Sequence, residues 1–233
     1  MKAGLFIPCY VNAVYPEVGV ATCKLLDCLG VETAYPLRQT CCGQPMANAG
    51  FEGKAVSLIA RFERLFELYE YVVTPSASCA AFIKSRTSSP VYEICEFLHD
   101  VVKVNSLPGK FPHKVSVHNS CHGVRELHLS SAGELNIPPY SKLRRLLSFV
   151  EGVEVFEPEI TDECCGFGGM FSIEEPAVSV CMGEDRLAGH LATGAEYITG
   201  ADSSCLMHMQ GIARREKHPA QFIHIVQILA AGL

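Results

Sequence analysis

Short apolar runs alternate with longer stretches whose apolar residues recur at helical spacing, and the whole alternation occurs twice along the chain. Ala3-Gly4-Leu5-Phe6-Ile7 is a compact run ending at Pro8-Cys9, the pattern of a parallel strand buried on both faces. From Gly19 to Leu29 the apolar residues Val20, Cys23, Leu25 and Leu26 take helical spacing, which stops at Gly30. A second short strand is predicted from Val31 to Tyr35, and the polar loop Arg38-Gln39-Thr40 follows it. Between about Phe51 and Tyr69 an amphipathic helix is predicted, with Ala55, Leu58, Ile59, Phe62, Leu65 and Phe66 on one face. The next strand is expected at Tyr71-Val72-Val73-Thr74, with Pro75 to Cys79 as the turn leaving it. A helix from about Val91 to Val102 closes the first half.

The second half follows the same plan. A strand at Val115-Ser116-Val117-His118 feeds Asn119-Ser120-Cys121, and a helix is expected around Lys142 to Val150. A strand at Val153 to Phe156 then runs into an acidic loop. After it come a helix from about Glu174 to Leu191, a strand at Glu196 to Thr199, the turn Ala201 to Cys205 and a last helix from about Ile223 to Ala230. Even the closing texture recurs, PVYEICEFL in one half and AQFIHIVQIL in the other. Strand–helix alternation of this kind predicts an α/β fold. The expected architecture is two pseudo-symmetric halves, 1–107 and 108–233, each a parallel sheet with flanking helices, joined by a linker at Asn105 to Gly109.

The cysteines repeat with the elements. Cys41-Cys42-Gly43 and Cys164-Cys165-Gly166 are each preceded by a lone cysteine, Cys9 and Cys121, and followed by another, Cys79 and Cys205. With 12 Cys and 19 Gly in 233 residues, only about 0.05 copies of CCG are expected by chance, so two in matching contexts are not compositional. In parallel α/β sheets functional groups gather at the carboxyl ends of the strands, and all eight cysteines follow predicted strands. The pattern therefore predicts that four thiols per half converge on one rim.

Composition narrows the function classes. A net charge of −6 with no Lys/Arg run excludes a nucleic-acid surface. The longest apolar run, Phe222 to Leu233, is too short and too interrupted to span a membrane. The N-terminus MKAGLFIPCYV lacks the length and cleavage site of a secretion signal. Cysteines in such number without a leader point to a reducing, cytoplasmic compartment, where clustered thiols act as metal ligands or redox groups. Four thiolates suit Zn²⁺ or an iron–sulfur cluster. A vicinal pair disfavours an internal disulfide, because adjacent Cα atoms lie about 3.8 Å apart and a disulfide wants more. Neighbouring thiolates can instead reach different irons of one cluster, while zinc ribbons usually present C-x₂-C knuckles. Cys23, Cys28, Cys95 and Cys181 do not repeat and are expected to be small buried hydrophobes on helices. Gly166-Phe167-Gly168-Gly169 lacks the spacing of a nucleotide-binding loop. His118, His122 and His208 lie near the clustered cysteines in sequence; His208, three residues beyond Cys205, is a candidate ligand, with packing or a hydrogen bond the expected role.

The motifs FIPC, CCGQPMANAGF, TPSASC, HNSCH, CCGFGGMFS, GADSSCLM and HIVQIL cover both halves. They resemble the cysteine-rich (CCG) domains of heterodisulfide reductase and of the glycolate oxidase iron–sulfur subunit. Over the whole chain they resemble the lactate utilization protein A family more closely still. The resemblance implies a cytoplasmic, non-catalytic electron-transfer component that works with other subunits of a complex oxidising L-lactate to pyruvate. It implies iron–sulfur clusters, 4Fe–4S with one per half, and zinc as a possible substitute. The ligands it implies are Cys9, Cys41, Cys42 and Cys79 in one set, and Cys121, Cys164, Cys165 and Cys205 in the other. Heterodisulfide reductase motifs end in C-x-x-C, whereas Phe82 and His208 stand at the corresponding positions here. That departure counts against a heterodisulfide reductase-like catalytic subunit. A zinc-binding structural protein is the other alternative.

Overall fold

A computed structural model describes residues 1–233. It contains two four-stranded, all-parallel sheets. The first is built from β1 (Lys2–Leu5), β2 (Glu32–Ala34), β3 (Tyr71–Thr74) and β4 (Val91–Glu93) in the order β2-β1-β3-β4. The second repeats it with β5 (Lys114–His118), β6 (Glu154–Phe156), β7 (Tyr197–Gly200) and β8 (Gln221–His224) in the order β6-β5-β7-β8. Register is equivalent too: Gly4 pairs with Val72, and Ser116 with Ile198. The α/β architecture read from the alternation is the one observed.

Three features depart from the expectation. Each sheet has a fourth strand, β4 and β8, where the periodicity predicts the start of a helix. Both are short, and the last residue of each caps the helix that follows, so strand and helix merge into one apolar run. Glu93 accepts from the Cys95 amide at 2.6 Å, and His224 accepts from the Val226 amide through Nδ1 at 3.2 Å; both caps are reciprocal capping boxes. The turns expected at Pro75 to Cys79 and Ala201 to Cys205 run directly into helices, Ala77–Lys84 and Ser203–Arg215. Finally, Cys28 and Cys181 are exposed and Cys23 is half-buried beside Asp27 and Thr33, so only Cys95 among the non-repeating cysteines is buried. Cys28 sits at the end of its helix, and Cys181 falls on the solvent side of helix Pro176–Leu191.

The two sheets share one core. A continuous cluster of 41 buried residues joins Phe6, Leu25, Phe62, Phe66, Ile94 and Phe97 to Val117, Leu146, Leu147, Ile225 and Leu229. Its helices are exchanged across the pseudo-twofold. Helix Ile225–Leu229, from the end of the chain, packs on helix Pro16–Cys28, while the Ile94–Val102 segment packs on helix Lys142–Leu147. Helix Ala77–Lys84 likewise lies against Cys121–Arg125. A second cluster of 8 residues, including Cys165, Leu187, Cys205 and Met209, stays within the second half.

Two amphipathic helices, one per half, cover the sheets next to the vicinal cysteines, and their buried stripes keep step. Helix Glu52–Phe66 buries Ala55, Ile59, Phe62 and Phe66. Helix Pro176–Leu191 buries Ser179, Gly183, Arg186 and His190 at the same intervals, together with Leu187. The first stripe completes an aromatic cluster, with Phe6 edge-on to Phe62 at 5.2 Å and Phe62 against Phe66 at 4.7 Å.

Candidate metal centre

Each lone cysteine occupies the first turn of a helix that leaves a strand. Cys9 opens Cys9–Val14 beyond β1, and Cys121 opens Cys121–Arg125 beyond β5, where the Ser120 hydroxyl accepts from the Gly123 amide at 3.3 Å. Cys79 sits in the first turn of Ala77–Lys84, its amide donating to the Ser76 hydroxyl at 3.3 Å. Cys205 has the same place in Ser203–Arg215. The vicinal pairs lie in the loops that follow β2 and β6, and the glycine after each pair is left-handed, Gly43 at φ +99° and Gly166 at φ +82°. That conformation turns the glycine amide back, so Gly43 N–H meets Cys41 Sγ and Gly166 N–H meets Cys164 Sγ, both at 3.4 Å.

The four thiols of each half come together. In the first half Cys9 and Cys41 are neighbours, as are Cys41 and Cys42, and Cys42 Sγ lies 3.5 Å from Cys79 Sγ, all as free thiols. In the second the same chain runs through Cys121, Cys164, Cys165 and Cys205. Both sets grade from core to surface: Cys42, Cys79, Cys165 and Cys205 are buried, Cys41, Cys121 and Cys164 half-buried, and Cys9 exposed. Thiol donors on either side hold Cys41 far below the usual thiol range, from Cys42 first and Cys9 second, and Cys164 likewise from Cys121 and Cys165. Their donating neighbours Cys9, Cys42, Cys121 and Cys165 are pushed up, chiefly by those same bonds and then by burial. Negative charge therefore settles on the first cysteine of each vicinal pair, where the glycine amide also points. Such donor sets, all sulfur with a backbone amide directed at it, fit a thiolate-bound metal or metal–sulfur centre.

Residues that do not repeat surround the sets. His118 is buried next to the second one, and a ring nitrogen of His118 and the sulfurs of Cys165 and Cys205 lie within 4.8 Å of one another. Behind it Arg186, fully buried, donates from Nε to His118 Nδ1 at 3.0 Å and from its terminal nitrogens to the Ile160 and Thr161 carbonyls. His190 Nε2 is 3.4 Å from the same Nδ1, and Ser116 Oγ is 2.8 Å from His190 Nδ1. Burial first, then the Arg186 charge, holds both imidazoles below their ordinary range, His190 to about 2. None of Arg186, His190 and Ser116 stands out in the sequence. His208 is engaged elsewhere, its Nε2 3.0 Å from the Ser179 carbonyl, and Phe82 is buried beneath the Arg86 guanidinium.

The halves meet through polar contacts close to the thiols. Asp202 holds the N-cap position of Ser203–Arg215 but caps nothing there. Its carboxylate crosses to the first half and accepts from the Ser78 amide at 2.8 Å and from Tyr10 Oη at 2.8 Å. The Ala77 amide donates to the Ala201 carbonyl beside it, and Gln44, next to the first CCG, meets His122 at 3.2 Å. Burial and the Asp202 charge raise the Tyr10 phenol well above its usual value, so it remains a donor.

Comparison with known proteins places both halves in one family. The cysteine-rich domain family (CCG) matches residues 3–84 and again 115–210, one match on each half. Lactate utilization protein A of Exiguobacterium sp. is 34% identical over 250 residues, covering 100% of this chain and 98% of its own. The protein of the same name from Oceanobacillus iheyensis is 35% identical, covering 98% and 96%. Among solved structures, a hypothetical protein from Helicobacter pylori superposes with a TM-score of 0.66 at 8% identity, which speaks to the fold alone. The match covers all of this chain, which spans about half of that one (49%). With two CCG matches and full-length relatives at this identity, the chain belongs to the lactate utilization protein A family of cysteine-rich proteins.

Proposed function

We propose that the protein is the electron-transfer component of a system oxidising L-lactate to pyruvate, and that it carries one iron–sulfur cluster in each half. The observation that carries this reading is the duplicated set of four converging thiols, Cys9/Cys41/Cys42/Cys79 and Cys121/Cys164/Cys165/Cys205, in a chain whose full-length relatives are named for lactate utilization. The boundary near residue 107 is then that of a duplication, one cluster site to each copy. Such a cluster, when bound, stores and passes single electrons. Oxidising lactate to pyruvate releases two electrons and two protons, and two one-electron sites match that count. The protein's part is to anchor each centre from its buried cysteines, to direct the Gly43 and Gly166 amides at sulfur, and to leave Cys9 exposed toward a partner subunit. Lactate itself would be handled by another subunit in the cytoplasm. A cavity of about 400 Å³, lined by Tyr15, Met207 and Arg214 among others, includes no cysteine.

Anaerobic purification and reconstitution, followed by assays for iron and acid-labile sulfide, tests the reading. Sulfide equimolar with iron is expected; its absence from freshly reconstituted protein would sink the proposal. Cys42→Ser and Cys165→Ser should each remove about half of the cluster absorbance and leave the far-ultraviolet circular dichroism unchanged. Retention of the full absorbance by both variants would remove these cysteines from the ligand set.

Zinc is the second reading, favoured by one distance. Zn–S bonds of about 2.3 Å place tetrahedral thiolates about 3.8 Å apart, close to the 3.5 Å between Cys42 and Cys79. Stoichiometric zinc without sulfide in anaerobically prepared protein would decide for it.

A further inference from the structure

The two thiol sets sit against different walls. Phe6, the residue after β1, precedes Cys9 by the same interval as His118, the last residue of β5, precedes Cys121. The in-step helices carry the comparison further: Phe62 corresponds to Arg186 and Phe66 to His190. Three phenylalanines thus back the first set, and a guanidinium with two imidazoles backs the second. A swap of this kind is costly unless something answers the buried charge. Arg186 has two carbonyls and an imidazole as partners, and its nearest carboxylate, on Glu163, is 4.0 Å away and partly exposed. The sulfurs of Cys165 and Cys205 lie near it in the core and would be anionic as ligands of a bound centre.

The hydrogen bonds also fix where the protons lie. Arginine has only donors, so His118 Nδ1, facing Arg186 Nε–H, must be an acceptor, and the one ring proton of a neutral His118 is on Nε2. His190 conforms: Ser116 Oγ–H donates to its Nδ1, and its Nε2–H points to the same His118 nitrogen. His118 Nε2 is buried and has no hydrogen-bond partner within the protein, and a ring nitrogen of His118 lies within 4.8 Å of the Cys165 and Cys205 sulfurs, so this unpartnered N–H is the donor available to the second thiol set. A ligating Nε2 would need its lone pair free and the proton on Nδ1, where Arg186 already donates.

Resting on the iron–sulfur reading above, we infer that His118 is a hydrogen-bond donor to the centre held by Cys121, Cys164, Cys165 and Cys205. Arg186 fixes its tautomer, and the second site is thereby the more oxidising of the two. His118 is a positioning residue in this scheme and not a ligand. An N–H donor and a buried cation both stabilise the reduced, more negative form, and the phenylalanine wall of the first site supplies neither. Electrons therefore run downhill from the first half to the second.

Two experiments on the full chain test this. In the metal-free protein, ¹⁵N–¹H correlation spectra of the imidazoles should show His118 protonated at Nε2 and bare at Nδ1; a proton on Nδ1 would overturn the inference whatever cofactor is bound. In anaerobically reconstituted protein, an EPR-monitored redox titration should resolve two couples, the more positive of which is missing from Cys165→Ser. His118→Phe, which copies the first half, should lower that couple by tenfold or more in its equilibrium constant, about 59 mV for one electron. His118→Gln, which retains an N–H near the same place, should hold it close to wild type, and the couple lost in Cys42→Ser should not move in either variant. An unmoved second couple in His118→Phe, an equal shift in His118→Gln, or a directly bound nitrogen in the pulsed EPR spectrum would each refute the donor role while leaving the cluster assignment standing. Lack of acid-labile sulfide would defeat the cluster reading, and with it the redox ordering.

Discussion

Glu93 ends β4 with its carboxylate buried beneath the helix it caps, and burial raises its pKa from 4.5 to about 8. The folded chain thus retains a proton that the unfolded chain releases near pH 4.5, so this contribution to stability is complete below that pH and lost as the pH rises to 8. Glu93→Gln keeps a cap acceptor without the titration. Its stability relative to the wild type should grow between pH 5 and pH 8, by on the order of a few kcal/mol at the upper end; melting temperatures that track each other across that range would contradict this. At the vicinal pairs the two glycines are not equally replaceable. A methyl on Gly43 would meet Ala55 Cβ at 3.2 Å, whereas one on Gly166 would lie 2.6 Å from the Ser179 carbonyl and 2.7 Å from Met182 Cβ. Both substitutions strain a left-handed backbone, but Gly166→Ala also overpacks a helix that cannot yield. Urea unfolding should show a loss of roughly 3 kcal/mol for Gly166→Ala and about half that for Gly43→Ala.

Among the elements, repetition made some features legible and hid others. The six strands read from the sequence are apolar runs that end near a cysteine motif, and all six are present. β4 and β8 escaped because Glu93 and His224 serve as both last strand residue and helix cap, leaving no polar break between the two periods. The helices carrying Cys79 and Cys205 escaped because Pro-Ser-Ala-Ser and Asp-Ser-Ser have the composition of turns, although those residues are also what helix starts require. The eight clustered cysteines recur between the halves, and recurrence by its nature carries nothing of what distinguishes one copy from the other. Arg186 and His190 lie in a helix whose position was foreseen. Their place on its buried stripe becomes visible only when the stripe is aligned with Ala55, Ile59, Phe62 and Phe66.

For the molecule as a whole, duplication does not mean independence. The large core takes side chains from both halves, and each half's final helix covers the other half. A fragment ending at residue 107 would leave Leu25, Leu26, Phe97 and Leu98 without the helices that bury them, so it should aggregate or remain unfolded by circular dichroism. Co-expressing 1–107 with 108–233 should restore a soluble pair, and a monomeric, cooperatively melting 1–107 would refute the shared-core account. The crossing carboxylate of Asp202 adds a dimension of time. Ser78 and Asp202 are 124 residues apart, so the helix that presents Cys79 stays uncapped on that side while most of the chain is still being made. The thiols encoded first are therefore among the last to be fixed in place. On the iron–sulfur reading proposed above, the first site gains this anchor only once residue 202 has been made, so its loading is expected to follow synthesis of the second half.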